Sequence, residues 1–166
     1  MLYALESHSH THPLGVPYSD LSVGIPLETY PNERRVAITP QNVSLLLKKG
    51  FSRVLVERSA GFEAQFLDEH YRAAGATLVD KADIFGSSDI ILKVRPPTVG
   101  QEVGLVKEGS TVISFLYPNQ NKEIVEALAT RKATAFAMEM IPRISRAQVF
   151  DALRYIGVLV GDICIY

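Results

Sequence analysis

The chain lacks several short motifs that define common enzyme classes. No Gly-x-Gly occurs in its 166 residues, and neither does Gly-x-Ser-x-Gly, His-Glu-x-x-His or Cys-x-x-Cys. The missing glycine pattern excludes a dinucleotide fingerprint and a P-loop, because both need backbone amides close to a phosphate. The single cysteine, Cys164, excludes a disulfide within the chain.

The net charge is small, and long apolar runs are absent from the sequence. The net charge of −1 gives no reason to expect nucleic acid or an acidic membrane surface as a partner. No apolar run reaches the roughly 18 to 20 residues that cross a bilayer, so we expect no direct membrane insertion. The N-terminus has no apolar signal core and its first arginine is Arg34, which does not resemble a secretory signal or an Arg-rich transit peptide.

Histidines are few outside the N-terminal segment. Residues 1–20 are polar and show no periodicity, which predicts a flexible leader. His8, His10 and His12 alternate there and would be able to bind a metal on an extended segment. No cysteine or carboxylate pair supports them, so we predict a solvated tail and no metal site. His70 lies in a predicted helix beside Glu69, which favours a solvated side chain over a catalytic base.

From residue 21 onwards, strand and helix patterns alternate. Strands are predicted at 21–27, 53–57, 77–79, 89–94, 111–116 and 134–138, and helices at 40–50, 67–74, 81–86, 121–132 and from Ser145 through Leu153. This alternation predicts a three-layer α/β sandwich with a mainly parallel, flavodoxin- or Rossmann-like sheet. No internal repeat or low-complexity segment is evident.

Polar groups follow three of the predicted strands. They are Glu33, Arg34 and Arg35 after the first, Lys93 and Arg95 after the fourth, and Tyr117, Asn119 and Gln120 after the fifth. Ligands of open parallel sheets gather at the carboxyl ends of the strands. We therefore predict a candidate anion or ligand cleft that includes Arg35, Arg95 and Tyr117. Surface charges or internal ion pairs are the alternative interpretation of these arginines.

Four segments together resemble the N-terminal domain shared by alanine dehydrogenases and pyridine nucleotide transhydrogenases. They are residues 33–40 (Glu-Arg-Arg-Val-Ala-Ile-Thr-Pro), 92–97 (Leu-Lys-Val-Arg-Pro-Pro), 114–118 (Ser-Phe-Leu-Tyr-Pro) and 142–148 (Pro-Arg-Ile-Ser-Arg-Ala-Gln). The resemblance implies a family domain over residues 21–153. Residues 154–166 depart from the family pattern, and we interpret them as a divergent apolar tail.

The resemblance also implies roles for individual residues. In alanine dehydrogenases an arginine at the Arg35 position and a lysine at the Arg95 position bind pyruvate, and a catalytic histidine occupies the Tyr117 position. Tyrosine does not easily replace a histidine proton shuttle near pH 7, so the transhydrogenase branch fits better. In that branch a loop approaches the nicotinamide of NAD(H), and the matching residues are Arg143, Gln148 and Asp151. We assign no catalytic residue.

By resemblance, the full family enzyme moves hydride from NADH to NADP and couples this to proton translocation. The implied cofactor is NAD(H), and the implied partners are a second copy and the membrane and NADP-binding domains. The implied location is the matrix side of the mitochondrial inner membrane, or the cytoplasmic side of a bacterial inner membrane. We expect no hydride transfer by this chain alone. Two alternatives stay open: an alanine or saccharopine dehydrogenase-like domain, and a non-catalytic module that docks on a family oligomer.

Overall fold

The computed structural model of the chain describes residues 15–141, which form a six-stranded sheet. The strands are β1 (Ser22–Ile25), β2 (Arg53–Glu57), β3 (Thr77–Val79), β4 (Ile90–Leu92), β5 (Thr111–Ser114) and β6 (Thr134–Ala137). The helices of the same range are α1 (Pro40–Lys48), α2 (Asp68–Ala73), α3 (Lys81–Ser87) and α4 (Lys122–Thr130). All neighbouring strands are parallel. The predicted α/β fold with a parallel sheet is confirmed.

The helices cover both faces of the sheet. On one face a cluster of buried apolar side chains joins α1 and α2 to β1 and β2, and it includes Val23, Val43, Val54 and Tyr71. On the other face a second cluster joins α3 and α4 to β2, β4 and β5, and it includes Leu55, Ile84, Ile91, Val112 and Leu128. Successive residues of a strand point to opposite faces, so β2 contributes to both clusters. The three predicted layers are therefore present.

The start of α1 follows directly from its sequence. Thr39 is extended and its side chain accepts a hydrogen bond from the Asn42 amide, while Pro40 occupies the first helical position. Both features satisfy the geometry of a helix N-terminus. The helix begins as predicted, and its start ends the long connection from β1, residues 26–39.

Gly24 in β1 allows α3 to pack closely against the sheet. A Cβ atom at this position would overlap the Ser88 Oγ and lie 2.8 Å from the Ser88 Cβ. Real Cβ atoms do not approach other heavy atoms so closely, so a side chain at Gly24 would push the end of α3 outwards. The absence of a side chain is therefore a packing requirement at this position.

Three strands end two residues earlier than predicted. β1 ends at Ile25, β4 at Leu92 and β5 at Ser114, and not at residues 27, 94 and 116. The amides just beyond these ends donate to glutamate side chains of other chain segments, and the pairs are Leu27 with Glu57, Val94 with Glu28, and Leu116 with Glu139. For these three amides a carboxylate takes the place of a backbone partner, which the sequence pattern of a single strand does not indicate.

The strand order β3-β2-β1-β4-β5-β6 reverses direction between β1 and β4. In a sheet of this order the chain leaves β1 on one side and β4 on the other, so a crevice opens at their carboxyl ends. This crevice is the position where open α/β sheets bind ligands. The connections after β1 and β4 form its sides.

Several sequence-based expectations concern residues outside the described range. They are the metal interpretation of His8, His10 and His12, the helix after Ser145, the loop residues Arg143, Gln148 and Asp151, and the tail at 154–166. The described end of the predicted leader forms a 3-10 turn, Tyr18–Asp20. The Tyr18 ring stacks on Phe51 with a centroid distance of 4.8 Å, so this stretch of the leader contacts the domain. No helix among residues 15–141 is long and apolar enough to span a membrane.

Candidate ligand-binding crevice

An ionic triad lies at the mouth of the crevice between β1 and β4. Arg35 donates from Nε and Nη2 to the two carboxylate oxygens of Glu33, at 2.7 and 2.6 Å. Arg95, from the connection after β4, donates from Nε to Glu33 Oε2 at 2.7 Å. The Arg35 contact is a bidentate fork, the geometry in which guanidinium and carboxylate pair most strongly. The two predicted arginines therefore meet, and they meet on a carboxylate of the chain itself.

The triad is buried on the carboxylate side and open on the guanidinium side. The Glu33 side chain is 4% exposed, whereas those of Arg35 and Arg95 are 32% and 34% exposed. The hydrogen bonds from Arg35 lower the pKa of Glu33 to about 2, so the carboxylate is ionised at physiological pH. Two guanidiniums and one carboxylate leave one net positive charge at the crevice mouth.

Two tyrosines flank the arginines. The Arg95 guanidinium lies over the Tyr30 ring, 4.8 Å from its centroid, within the range of a cation–π contact. The Tyr117 ring stacks on Phe115 with a centroid distance of 6.4 Å. Hydrogen bonds to Glu33 raise the pKa of Arg35, and Tyr117 adds to this effect through space. This effect indicates that Tyr117 lies near Arg35, and the shared ligand cleft of Arg35, Arg95 and Tyr117 stays a prediction.

The backbone at Tyr117 is held in an unusual conformation. Its φ of 48° lies in the left-handed region, which non-glycine residues seldom adopt. The Glu139 carboxylate accepts hydrogen bonds from the amides of Leu116 and Tyr117, at 3.1 and 2.5 Å. Asn121 also donates from Nδ2 to the Leu116 carbonyl at 2.9 Å. These contacts fix the turn that presents Tyr117 at the strand end.

A second, buried layer of charge lies behind the triad. The Lys93 ammonium is 3.1 Å from Glu102 and 3.6 Å from Glu28, and all three side chains are at most 2% exposed. Glu102 also accepts a hydrogen bond from the Thr98 amide at 2.8 Å. One ammonium faces two carboxylates here, so the buried layer carries an excess of negative charge when both are ionised. Lys93 was grouped with the crevice cations by sequence, but its ammonium is enclosed by this layer.

Glu28 joins the two sides of the crevice. It follows β1, and its carboxylate accepts hydrogen bonds from the amides of Val94 and Arg95 at 2.6 and 3.2 Å. Burial raises the pKa of Glu28, while Lys93 opposes this rise. Burial also raises the pKa of Glu57, which accepts from the Leu27 amide at 2.8 Å. Glu28 therefore fixes the backbone from which Arg95 extends, and Glu57 fixes the backbone just after β1.

Sequence reasoning missed the glutamates of the site, Glu28, Glu57, Glu102 and Glu139. Glu28, Glu57 and Glu139 make their contacts to separate segments of the chain, and a single sequence carries no sign of such pairing. The one available signal was the position of Glu28 directly after an apolar strand, where a buried acid needs a partner. Other residues predicted at strand ends do not join the triad, since Arg34, Asn119 and Gln120 are exposed.

The described crevice offers cationic and aromatic groups more than acid–base groups. The only histidine among residues 15–141, His70, is exposed on α2 and accepts from the Leu67 amide with Nδ1. Within the same residues no cluster of three or more His, Cys, Asp or Glu side chains suits a metal ion. The arrangement can bind an anionic group through guanidiniums, with tyrosines beside it.

The fold and crevice define an open parallel α/β domain with the strand order of nucleotide-binding sheets. A family profile described as "Alanine dehydrogenase/PNT, N-terminal domain" matches residues 24–159. The chain belongs to this family. The match continues past residue 153, where we predicted that the resemblance ends.

Curated relatives include both branches of the family. The chain is 46% identical over 131 residues to NAD(P) transhydrogenase subunit alpha of Haemophilus influenzae, covering 79% of the chain and 25% of that protein. It is 42% identical over 142 residues to NAD(P) transhydrogenase subunit alpha of Cereibacter sphaeroides, covering 85% and 27%. Alanine dehydrogenase of Mycobacterium tuberculosis is 37% identical over 122 residues, covering 73% and 32%. The chain therefore spans between a quarter and about a third of these relatives.

Solved structures agree with the sequence relatives. The transhydrogenase of Sinorhizobium meliloti has a TM-score of 0.74 at 42% identity, over 80% of this chain and 37% of that chain. An L-alanine dehydrogenase has a TM-score of 0.70 at 29% identity, over 76% of this chain and 34% of that chain. The higher identity on the transhydrogenase side agrees with the branch suggested by the sequence motifs.

Proposed function

We propose that this domain supplies one wall of an NAD(H)-binding cleft in a transhydrogenase-type protein. The observation that carries the proposal is the Glu33–Arg35–Arg95 triad at the switch point of the sheet, with one net positive charge and two half-open guanidiniums. The bound NAD(H), or the nicotinamide end of it, would lie against this wall. A separate dinucleotide-binding domain would supply the Gly-rich loop that is missing here.

The choice of the transhydrogenase branch rests on the lack of a proton shuttle in the described crevice. A dehydrogenase acting on an amino acid must move a substrate proton, whereas hydride transfer between two nicotinamides needs no such step. By the family pattern, Tyr117 occupies the position of the shuttle histidine and Arg95 occupies the position of the substrate-binding lysine. Lys93 is the nearest lysine in sequence to Arg95, and its side chain is 1% exposed beneath the triad.

The loop residues Arg143, Gln148 and Asp151 would face the nicotinamide of NAD(H). Gln148 and Asp151 have the side-chain types that hold a carboxamide, and Arg143 can order the loop through a phosphate or carboxylate. This assignment rests on the family pattern, since all three residues lie beyond the described range. The complete protein would transfer hydride from NADH to NADP and couple it to proton translocation.

The partners of the complete protein are also proposed from the family pattern. A second copy of the protein and the membrane and NADP-binding domains would be its partners. The named transhydrogenase relatives are bacterial. The corresponding location is the cytoplasmic face of a bacterial inner membrane, or the matrix face in mitochondria. The 166-residue chain alone would bind NAD(H) weakly and would not transfer hydride.

A chimera tests this function. Residues 24–159 of this chain would replace the matching N-terminal segment of the Cereibacter sphaeroides relative. The purified chimera, assembled with the remaining components of that enzyme, would be assayed for hydride transfer from NADH to an NADP analogue. We expect activity from the chimera and none from the 166-residue chain. A folded, inactive chimera, or turnover by the 166-residue chain itself, would contradict the proposal.

The second candidate function is an alanine dehydrogenase-like domain, and the similarity to the Mycobacterium tuberculosis enzyme is the observation in its favour. Pyruvate- and ammonia-dependent oxidation of NADH by the same chimera would support it. The transhydrogenase proposal predicts none. It also predicts that the double variant Tyr117→His/Arg95→Lys still folds, with the residue types of alanine dehydrogenases at both positions of the crevice.

A further inference from the structure

We infer that Glu33 is the positioning residue of the crevice, which holds the Arg35 and Arg95 guanidiniums side by side to receive an anionic group of the ligand. The inference rests on the proposed function for the presence of a ligand. The inference adds a role for a carboxylate that lies close to where the negative charge of the ligand would bind.

The two arginines need a bridge because they come from separate connections and carry like charges. Arg35 follows β1 and Arg95 follows β4, and both direct Nε to the same carboxylate at 2.7 Å. Without that carboxylate the guanidiniums repel each other, and each long side chain regains rotamers that point into water. The Glu33 carboxylate therefore sets the spacing and orientation of the pair.

Glu33 is itself held firmly enough for this role. Its carboxylate also accepts the Arg35 amide at 3.1 Å, and its own amide donates to the Tyr30 carbonyl at 3.1 Å. The same Tyr30 carries the Arg95 guanidinium on its ring face. With a pKa lowered to about 2, principally by Arg35, the carboxylate keeps its charge throughout the physiological range.

The triad retains binding capacity after these contacts. Among residues 15–141, Arg95 uses only Nε as a side-chain hydrogen-bond donor, so its terminal nitrogens can still donate to a ligand. Both guanidiniums are about one-third exposed, and the triad keeps one positive charge. A phosphate or carboxylate oxygen can use these donors without displacing Glu33.

A competing role for Glu33 predicts the opposite change in anion affinity. If Glu33 only competed with the ligand for the arginines, Glu33→Gln would release them and tighten anion binding. If Glu33 positions them, the same substitution weakens binding even though the chain gains one unit of positive charge. The effect of this substitution therefore separates the two roles.

The experiment uses the full 166-residue chain labelled with ¹⁵N. Sodium phosphate and sodium pyruvate are titrated separately, at constant ionic strength, while the Nε–H resonances of Arg35 and Arg95 are followed. In the wild type we expect both resonances to shift with one common dissociation constant. In Glu33→Gln we expect that constant to rise about tenfold, the loss expected for one charge-assisted hydrogen bond. A response to phosphate alone or to pyruvate alone assigns the anion class.

Two variants keep the test decisive. Glu126→Gln on the exposed face of α4 makes the same charge change and should bind as the wild type does. Glu33→Asp keeps the charge but shortens the reach by one methylene, so it should bind more weakly than the wild type and more tightly than Glu33→Gln. If Glu33→Gln fails to give a folded amide spectrum, Glu33→Asp decides the question.

Unchanged or tighter binding by the Glu33 variants would overturn the inference. A wild-type chain whose two Nε–H resonances stay unmoved by both anions would overturn it as well. The proposed function fails separately, through an inactive chimera. An active chimera with wild-type affinity in Glu33→Gln would refute only the positioning role.

Discussion

Replacing Lys93 with methionine should strongly destabilise the domain. The Lys93 ammonium is 1% exposed, 3.1 Å from Glu102 and 3.6 Å from Glu28. With an effective dielectric constant of about 20, the attraction at these distances is roughly 5 kcal/mol for each pair. Desolvation offsets much of this in the native protein, but Lys93→Met leaves both buried carboxylates without their cation. We expect a loss of about 3–5 kcal/mol in the free energy of unfolding at pH 7.

The pH dependence of this loss has a defined sign. In Lys93→Met the missing cation raises the native pKa of Glu28 further above its unfolded value. A group with a raised native pKa contributes its stability below the unfolded pKa and loses it as pH rises through the native pKa. The deficit of the variant should therefore be smaller at pH 5 than at pH 8.

Urea unfolding followed by circular dichroism measures these differences directly. Lys132→Met is the matched control, because Lys132 pairs with Glu108 at the surface with 77% and 64% of the side chains exposed. That pair should contribute at most about 1 kcal/mol. The double variant Lys93→Met/Glu102→Gln should recover some of the loss, since one orphaned charge is removed. Equal effects of Lys93→Met and Lys132→Met would refute the account of the buried layer.

Three further predictions concern stability. Gly24→Ala should lower the free energy of unfolding by about 1–3 kcal/mol, because the new methyl group would overlap the Ser88 side chain; a neutral effect on urea unfolding would contradict the packing argument. Thr39→Ala should lower it by about 1 kcal/mol through loss of the cap on the Asn42 amide, and Thr39→Ser should restore most of this loss. Because the native pKa of Glu33 is lowered from 4.5 to about 2, its contribution is present above pH 4.5 and lost as pH falls towards 2. The wild type and Glu33→Gln should therefore converge in stability at acid pH, and a constant difference across that window would contradict the assignment.

Local sequence signals predicted the elements well where each element carries its own signal. Thr39 and Pro40 mark the start of α1, and the apolar runs mark every strand of the described sheet. The carboxyl ends of β1, β4 and β5 were predicted too late. The amides just beyond these ends donate to glutamates of other chain segments, and such contacts depend on the folded arrangement of distant segments.

The sequence also predicted only part of the crevice. The placement of Arg35, Arg95 and Tyr117 at strand ends followed from the pattern, because parallel strands end at one edge of the sheet. The pairing of both arginines with the Glu33 carboxylate did not follow from the pattern. Glu33 and Arg95 are 62 positions apart in sequence, and nothing in either segment alone indicates that they pair. The burial of Lys93 was missed for a related reason, since Glu28 comes from the connection after β1, and Glu102 approaches Lys93 only in the folded connection after β4.

NADH affinity of the chimera tests the central claim, that this crevice forms a wall of the NAD(H) cleft. The dissociation constant would be measured by NADH fluorescence for the parent chimera and for Arg35→Gln/Arg95→Gln. Lys48→Gln/Arg53→Gln is the control, because it removes the same charge from two residues that lie outside the crevice, at the end of α1 and the start of β2. We predict at least about tenfold weaker NADH binding for the crevice variant and no change for the control. Equal affinities in all three proteins would contradict the claim.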